Sequence, residues 1–266
     1  MERIINIMSN SNFESRRTTS NLIKTLEDRG FSPTTFFSDK AELTICVGGD
    51  GAFIKAIHKN NFSSIPMVGI NTGHLGFYQE VSPEYIDKFV EDYESGKYVI
   101  EDLKLVGAEI FTSKRNYIQT ALNEILLKAQ HSKLIHINVF VNRNHVEKFS
   151  GDGIIISTPS GSTAYNFSAG GSIVHPSLDV LQMTPVAPVN SIAYRSITSS
   201  ILVPGNYVIS LVPEKRYSNS SLLLVDGTEY FFSNLKRVNF KVSNKIIKKL
   251  VFSEDSYWDN LKSKFL

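Results

Sequence analysis

One aspartate stands among glycines in the segment Gly48-Gly49-Asp50-Gly51, directly after the apolar run 43–47. Glycines in a tight turn between a strand and a helix let backbone amides and the helix N-terminus attract an anion such as a phosphate. A carboxylate in such a turn is electrostatically costly unless it binds a metal ion or takes a proton from an attacking hydroxyl group. The segment therefore predicts phosphoryl transfer, with Asp50 either binding the metal ion or taking the proton of the hydroxyl group.

A second polar segment, residues 157–168, is rich in hydroxyl groups and small side chains. It follows a predicted buried strand, Ile154-Ile155-Ile156, which is itself preceded by Gly151-Asp152-Gly153. Hydroxyl groups form hydrogen bonds without carrying charge, and small residues let a ligand approach the backbone. This composition favours the ribose hydroxyls and adenine edge of a nucleotide over an apolar ligand. A plain turn is the alternative interpretation.

A third candidate is the pair Asn123-Glu124, which interrupts the otherwise apolar segment 121–127. Taken alone, the pair indicates a solvent-facing step on a strand. Beside the other two segments, it offers an amide that can recognise adenine and an acid that can bind a ribose hydroxyl.

The elements that must position these residues change in type along the chain. Over the first hundred residues, apolar runs at 3–8, 43–47 and 66–70 predict buried strands, and helical spacing predicts helices at 15–29 and 83–93. Strands that alternate with helices predict a parallel sheet with helices on both faces. The glycine turn would then lie at the carboxyl end of the second of these strands.

From about residue 101 to 252 the pattern is mainly that of strands. Hairpin turns are indicated at Asn142-Arg143-Asn144 and at Asp226-Gly227. The sequence thus predicts an α/β N-terminal domain with a parallel sheet (1–100) and a β-rich, sandwich-like C-terminal domain (101–252). The tail, 253–266, predicts a short amphipathic helix that packs back on the first domain.

Composition limits the classes of function. The chain has 266 residues, with 42% hydrophobic and 20% charged residues and a net charge of +2, which is typical of an ordered protein and gives no reason to expect nucleic acid or acidic membranes as partners. No apolar run is long enough to cross a bilayer. The single cysteine, Cys46, falls in a predicted core strand and excludes an internal disulfide. We expect a cytoplasmic protein.

Several catalytic motifs are missing from the sequence. There is no Walker-type phosphate loop, no Gly-x-Gly-x-x-Gly dinucleotide fingerprint and no Gly-x-Ser-x-Gly elbow. The histidines lack zinc-protease spacing, and His74 and His175 are interpreted as structural loop residues. We therefore predict no metal site made by the protein alone.

Taken together, these segments resemble the NAD kinase family in its compact bacterial form. The first motif alone is also similar to diacylglycerol kinase-like and phosphofructokinase-like enzymes, whereas five motifs in the family's order and approximate spacing are specific. The five motifs are Gly48-Gly49-Asp50-Gly51, Asn71-Thr72-Gly73-His74-Leu75-Gly76-Phe77, Asn123-Glu124, Gly151-Asp152-Gly153 and Thr158-Pro159-Ser160-Gly161-Ser162-Thr163-Ala164-Tyr165.

The resemblance implies transfer of the γ-phosphoryl group of ATP, carried with Mg²⁺, to the 2′-hydroxyl of the adenosine ribose of NAD, which gives NADP. Asp50 would orient or deprotonate that hydroxyl. The resemblance also implies a homo-oligomer, a tetramer, in which a neighbouring subunit supplies part of the site. The residues it implies for binding substrate or nucleotide are Gly49, Gly51, Phe77, Asn123, Glu124, Asp152, Ser160, Thr163, Ala164, Tyr165, Asn166, Ser168 and Ala187.

Three positions depart from the family pattern. Ala52 stands where the family commonly has Thr or Ser, Ser150 where a basic residue often precedes Gly-Asp-Gly, and Thr228 where Gln is frequent. These departures leave the phosphate donor open between ATP and polyphosphate. Two alternatives to an NAD kinase also stay open at this point: a lipid kinase that shares the glycine turn, and a dinucleotide sensor that has lost turnover.

Overall fold

The computed structural model describes residues 2–73, 76–192, 195–253 and 256–266. The chain divides into two compact units. Unit 1 comprises Met1–Leu103 with Lys245–Leu266, and unit 2 comprises Lys104–Asn244.

The secondary-structure elements follow the chain in this order. The first half contains β1 (Ile4–Ser9), α1 (Phe13–Asp28), β2 (Ser32–Thr34), β3 (Leu43–Gly48), α2 (Asp50–Lys59), β4 (Met67–Asn71), β5 (Gln79–Val81), α3 (Ile86–Glu94), β6 (Val99–Thr112), β7 (Asn116–Ala121) and β8 (Glu124–Ala129). The second half contains β9 (Ile135–Val141), β10 (Asn144–Gly151), β11 (Gly153–Ser157), α4 (Tyr165–Ser168), β12 (Val180–Val186), β13 (Ile201–Pro204), β14 (Ile209–Pro213), β15 (Ser221–Val225), β16 (Thr228–Phe231), β17 (Leu235–Val251) and α5 (Ser256–Phe265).

Unit 1 is built on a parallel sheet in the order β2-β1-β3-β4. Strand β5 pairs with β4, and the end of β17 joins β4 in parallel through Lys249 and Met67. Every residue of β3 is buried, as expected for a strand covered on both faces. The carboxyl ends of β1, β3 and β4 therefore lie along one edge of this sheet, and the turn that contains Asp50 follows β3 at that edge.

The helices of unit 1 begin and end where local chemistry allows. The side chain of Asn12 caps α1 by accepting a hydrogen bond from the Ser15 amide, and α1 ends just before Gly30, which has a positive φ of 80°. The helix predicted from Pro83 starts as a short 3₁₀ turn, Pro83–Tyr85, and continues as α3. None of the helices in the described part of the chain is both long and apolar enough to cross a membrane.

Unit 2 consists of antiparallel strands. One sheet has the order β13-β12-β11-β8-β15-β16, and the remaining strands pair as β10-β9-β14-β17 and as β6 with β7. The core of the unit draws buried side chains from both groups of strands, among them Phe149, Phe240, Ile154 and Leu223. The predicted fold class, an α/β domain with a parallel sheet followed by a β-rich domain, is confirmed.

Candidate active site

Asp50 is the first residue of α2, and its carboxylate is held by backbone amides. Oδ2 accepts a hydrogen bond from the Phe77 amide and Oδ1 accepts one from the Tyr78 amide, each at 3.0 Å. The helix N-terminus adds its own partial positive charge at this point. The side chain is one-quarter exposed. Because each carboxylate oxygen has two lone pairs, each can accept one further hydrogen bond from a ligand.

The C-terminal helix α5 contributes a cation and two aromatic rings to the surroundings of Asp50. Lys264 Nζ lies 3.7 Å from Asp50 Oδ2 and 4.8 Å from the centre of the Phe77 ring. The rings of Tyr257 and Phe265 lie 6.1 and 6.2 Å from that of Phe77. Phe77, one of the residues that the family resemblance implies for binding, thus packs against α5 within unit 1.

The glycines around Asp50 differ in what they leave room for. A Cβ atom added to Gly76 would overlap the Asp50 carboxyl group, so only glycine lets the chain pass this close to it. In contrast, Cβ atoms added to Gly49 or Gly51 would meet nothing within 4 Å in the described part of the chain. The space beside Gly49 and Gly51 is thus open among the described residues.

A cavity of about 330 Å³ lies in unit 1 at the carboxyl end of β1 and along α2. Ser9 and Asn10 line one side, and Ala52, Lys55 and Lys59 line the side formed by α2. In open α/β sheets, ligands bind at the carboxyl ends of the strands. The helix that begins with Asp50 therefore also presents two lysines to a ligand-sized cavity.

In unit 2, the segment that carries Asn123 and Glu124 is held on both sides. The Asp226 carboxylate accepts hydrogen bonds from the amides of Leu122 (2.8 Å), Asn123 (2.8 Å) and Glu124 (3.3 Å). The Thr158 hydroxyl donates to the carbonyls of Leu122 (2.6 Å) and Asn123 (3.2 Å). Asn123 and Glu124 are both buried. The interpretation of this pair as a solvent-facing step is therefore wrong.

Glu124 has an unusual environment for an acid. Its Oε2 atom is buried and has no hydrogen-bond partner among the residues that the structure describes. Burial, and then the negative charge of Asp226, raise the pKa of Glu124 to about 8. At neutral pH most Glu124 side chains are consequently protonated, and a proton-bearing oxygen is able to donate a hydrogen bond.

The hydroxyl-rich segment separates into an inner and an outer set of residues. The inner set makes hydrogen bonds within unit 2. Asn166 is fully buried: its Nδ2 donates to the Ser162 carbonyl at 3.2 Å, and its Oδ1 accepts from the Thr184 hydroxyl at 2.6 Å. Thr163 is buried, and Ser160 and Ala164 are partly buried. Tyr165 and Ser168 form the outer set and face solvent. Two predicted binding residues of unit 2 that lie outside the segment, Asp152 and Ala187, also face solvent.

The three departures from the family pattern lie in different surroundings. Ala52 lines the cavity beside α2. Ser150 is buried, and its hydroxyl lies 2.6 Å from His136 Nδ1. Thr228 is exposed at the start of β16. His74 and Leu75, in the middle of the second predicted motif, lie outside the described residues.

Four residues of the two sites were not predicted from the sequence. Lys55 and Lys59 had a local signal, since they are spaced four residues apart on the helix that follows the glycine turn. Asp226 was predicted only as a hairpin residue. Lys264 had no local signal because it approaches Asp50 across more than two hundred residues. The described residues contain no group of three or more His, Cys, Asp or Glu side chains placed to hold a metal ion.

Comparisons with known proteins agree along the whole chain. Residues 5–98 match the model of the ATP-NAD kinase N-terminal domain, and residues 122–249 match that of the ATP-NAD kinase C-terminal domain. The chain is 47% identical to the NAD kinase of Finegoldia magna over 268 residues, which cover 99% of this chain and 98% of that protein. It is 35% identical to NAD kinase 1 of Listeria monocytogenes over 231 residues, covering 85% of this chain and 86% of that protein.

Solved structures share the fold at lower identity. Yeast NADH kinase complexed with NADH has a TM-score of 0.83 at 19% identity, covering 98% of this chain and 86% of that one. An NAD kinase from Archaeoglobus fulgidus in complex with ATP has a TM-score of 0.76 at 23% identity, covering 99% of both chains.

Proposed function

This chain belongs to the NAD kinase family, and we propose that it transfers the γ-phosphoryl group of ATP to the 2′-hydroxyl of the adenosine ribose of NAD. The reaction forms a bond between that oxygen and the γ-phosphorus and breaks the bond between the γ-phosphorus and its bridging oxygen. The products are NADP and ADP. The proton of the hydroxyl passes to a base.

The placement of Asp50 is the observation that carries this proposal. Phosphoryl transfer requires positioning, charge neutralisation and an acceptor for the proton, with little covalent chemistry from the protein. Asp50 offers a partly exposed carboxylate, fixed by the Phe77 and Tyr78 amides at the start of α2. We assign it the role of orienting the 2′-hydroxyl and accepting its proton. Gly49 and Gly51 would leave space for the phosphates.

Unit 2 supplies the groups that we assign to dinucleotide binding. Asn123 would recognise adenine and Glu124 would bind a ribose hydroxyl. The buried Oε2 of Glu124 lacks a hydrogen-bond partner among the described residues, and a ligand hydroxyl would supply one. The solvent-facing residues Asp152, Tyr165, Ser168 and Ala187 would contact the rest of NAD. The predicted residues that are buried or partly buried, including the fully buried Asn166, would support that surface.

The cavity beside α2 is our proposed site for the donor nucleotide. Lys55 and Lys59 line it, and their charges suit a triphosphate. The similarity in fold to an NAD kinase described in complex with ATP supports a nucleotide donor. We propose that Mg²⁺ enters as the ATP complex, because Mg²⁺ commonly keeps several waters and binds through substrate phosphates and one or two carboxylates. When bound, it would neutralise charge on the transferred phosphoryl group.

The donor site can be tested with Lys55→Met and Lys59→Met. We expect each to raise KM for ATP severalfold and to leave KM for NAD unchanged. Lys24→Met, which removes an α1 lysine outside the cavity lining, is the control. Unchanged KM for ATP in both variants would move the donor site elsewhere. Replacing ATP by polyphosphate in the same assay tests the choice of donor.

A coupled assay tests the whole proposal. Purified protein is supplied with NAD, ATP and Mg²⁺, and a NADP-specific dehydrogenase detects the product. Asp50→Asn should keep NAD affinity and lose about a hundred- to ten-thousandfold in kcat, the usual contribution of a general base. Near-normal turnover in this variant would contradict the role of Asp50. With diacylglycerol added to the same assay, phosphorylated diacylglycerol without NADP would indicate a lipid kinase, and NAD binding without product would indicate a sensor.

We further propose that the protein works as a cytoplasmic homotetramer that takes no nucleic acid or membrane partner. The family resemblance supports this assembly. Light scattering coupled to size-exclusion chromatography gives the mass of the particle in solution, and a mass equal to one chain of 29.8 kDa would exclude the tetramer. Cell fractionation followed by detection of the tagged protein tests its location.

A further inference from the structure

A cluster of three charged residues, two of them buried, lies beside the segment that holds Asp50. Lys249, near the end of β17, places its Nζ atom 2.7 Å from Glu80 Oε1 and 3.2 Å from Glu101 Oε2. The side chains of Lys249 and Glu80 are 7% and 2% exposed. All three residues belong to unit 1.

Lys249 also contacts the backbone of the segment that binds the catalytic carboxylate. Its Nζ donates a hydrogen bond to the Phe77 carbonyl at 3.3 Å. The amides of Phe77 and Tyr78 donate to the two oxygens of Asp50. Phe77 is therefore held through its carbonyl oxygen by a buried cation, and through its amide it fixes the catalytic side chain.

The cluster is not explained well by fold stability alone. Taking charges out of water is costly, and buried ion pairs often contribute no more stability than well-packed apolar residues would. Here one ammonium faces two carboxylates. Burial opposes the charged form of Lys249, but Glu80 and Glu101 outweigh it and raise the pKa of Lys249 above its ordinary value, so the ammonium stays charged. A permanently charged donor fixed between two acids is well suited to hold one carbonyl group in place.

We propose that Lys249 is a positioning residue for phosphoryl transfer, acting on Asp50 through the backbone of Phe77. Glu80 and Glu101 keep the ammonium charged and fixed. The inference rests on the proposed function, because it requires Asp50 to act on the hydroxyl. Catalytic geometry is sensitive to such support, since displacing a reacting group by about 1 Å can reduce the rate about a hundredfold.

A double-mutant cycle with Lys249→Met and Asp50→Asn separates positioning from a general structural role. In the wild-type background, we expect Lys249→Met to lower kcat about tenfold. KM for NAD and ATP should stay within about twofold. In the Asp50→Asn background, the same change should have little further effect on the residual rate, because a residue that acts through Asp50 has nothing left to position. Loss of kcat by the same factor in both backgrounds would overturn the proposal.

Two further variants complete the test. Arg29→Met removes a different ion-pairing cation of unit 1 and should leave kcat unchanged. In the wild type, Arg29 Nη1 lies 3.1 Å from Glu94 Oε2. If Lys249→Met does not fold, Glu101→Gln takes its place in the cycle, because the Glu101 side chain is about one-third exposed and Glu80 still pairs with Lys249. We expect a smaller loss of kcat, again confined to the background that retains Asp50.

The outcome for Asp50→Asn alone keeps the two proposals distinguishable. If that variant is fully active, the proposed role of Asp50 fails and the positioning role fails with it. If Asp50→Asn is inactive while folded Lys249→Met turns over at the wild-type rate, only the positioning role is wrong.

Discussion

The acids of the two units, Asp50 and Glu124, stand in opposite environments. Asp50 is one-quarter exposed and surrounded by donors: two backbone amides, a helix N-terminus and Lys264. Glu124 is buried beside a second carboxylate, and one of its oxygens has no partner in the described part of the chain. The first environment suits a carboxylate that accepts hydrogen bonds. The second favours an acid that keeps its proton, and its pKa is accordingly raised to about 8.

This difference matches the division of work that we propose for the two acids. A group that accepts a proton during phosphoryl transfer must be unprotonated and accessible when substrate arrives. A group that binds a neutral ribose hydroxyl needs no charge, and its free hydrogen-bonding capacity is what attracts the ligand. Substitutions that alter one environment and leave the other intact test whether the division is real.

Among the substitutions that change the surroundings of the two acids, the largest effect is expected from Gly76→Ala. The added methyl group would overlap the Asp50 carboxyl group and force it out of the position fixed by the Phe77 and Tyr78 amides. We expect kcat to fall about a hundredfold or more, because a displacement of about 1 Å has that effect on reacting groups. The coupled assay measures kcat, and isothermal titration measures NAD affinity.

Gly73→Ala is the matched control, because a Cβ atom there would meet nothing within 4 Å of the described residues. It changes the same loop by the same methyl group and should keep wild-type kcat. Equal losses in the two variants would mean that loop flexibility, and not the space for Asp50, determines the rate.

Next in size is the effect of Glu124→Gln on the pH dependence of stability. The native protein keeps the Glu124 proton up to about pH 8, whereas the unfolded chain releases it near the ordinary value of 4.5. The native state thus binds more protons between these values, and the free energy of unfolding falls as pH rises from about 4.5 to 8. Glutamine cannot ionise, so at pH 9 the free energy of unfolding of the variant should exceed that of wild type by a few kcal/mol.

Urea unfolding at pH 5 to 9 measures this difference. Glu109→Gln changes an exposed acid of the same unit and should leave the pH dependence unchanged. If wild type and Glu124→Gln lose stability in parallel up to pH 9, Glu124 is not the protonated acid that its burial implies.

Asp226→Asn has a smaller expected effect, because asparagine keeps one acceptor oxygen. The Asp226 carboxylate accepts from three backbone amides, and the variant would lose at least one of these bonds. Asparagine tolerates the positive φ of 46° at this position, so the hairpin turn itself should be preserved. We expect a loss of about 1–3 kcal/mol in the free energy of unfolding.

The same variant removes the negative charge that helps to raise the pKa of Glu124, so that pKa should fall. The Glu124 pKa can be followed by NMR. Glu229→Gln, an exposed change in the same hairpin, is the control for stability. An unchanged Glu124 pKa in Asp226→Asn would leave burial as its sole cause.

Local sequence patterns were enough to predict the elements that carry Asp50 and Asp226. An apolar run followed by glycines gave β3 and the start of α2, and the turn at Asp226-Gly227 adopts the positive φ values that its hairpin requires. The short strand β2 was not predicted, because Pro33 disfavours a strand except at the edge of a sheet, where β2 lies.

Contacts between distant parts of the chain could not be predicted from local sequence patterns. Asn123 and Glu124 look like surface residues until Asp226 and Thr158 are brought to their backbone from distant strands. Lys249 falls in the region that the sequence predicts only to consist mainly of strands, and Lys264 falls in the segment predicted to be a short amphipathic helix. What gives these two lysines a role is pairing with residues that are between one hundred and more than two hundred positions away.

The smallest effect is expected from Lys264→Met, which removes the cation beside Asp50 and leaves its amide donors in place. The pair spans 3.7 Å between partly exposed groups, and such ion pairs contribute about 0.2–1 kcal/mol. We therefore expect kcat to change by about two- to fivefold, with a larger change at low ionic strength, where screening is weaker. Lys262→Met, on the same helix and exposed, is the control. A loss as large as that of Gly76→Ala would show that Asp50 depends on the charge of α5 as much as on its amide donors, and the comparison between the two acids would have to include the C-terminal helix.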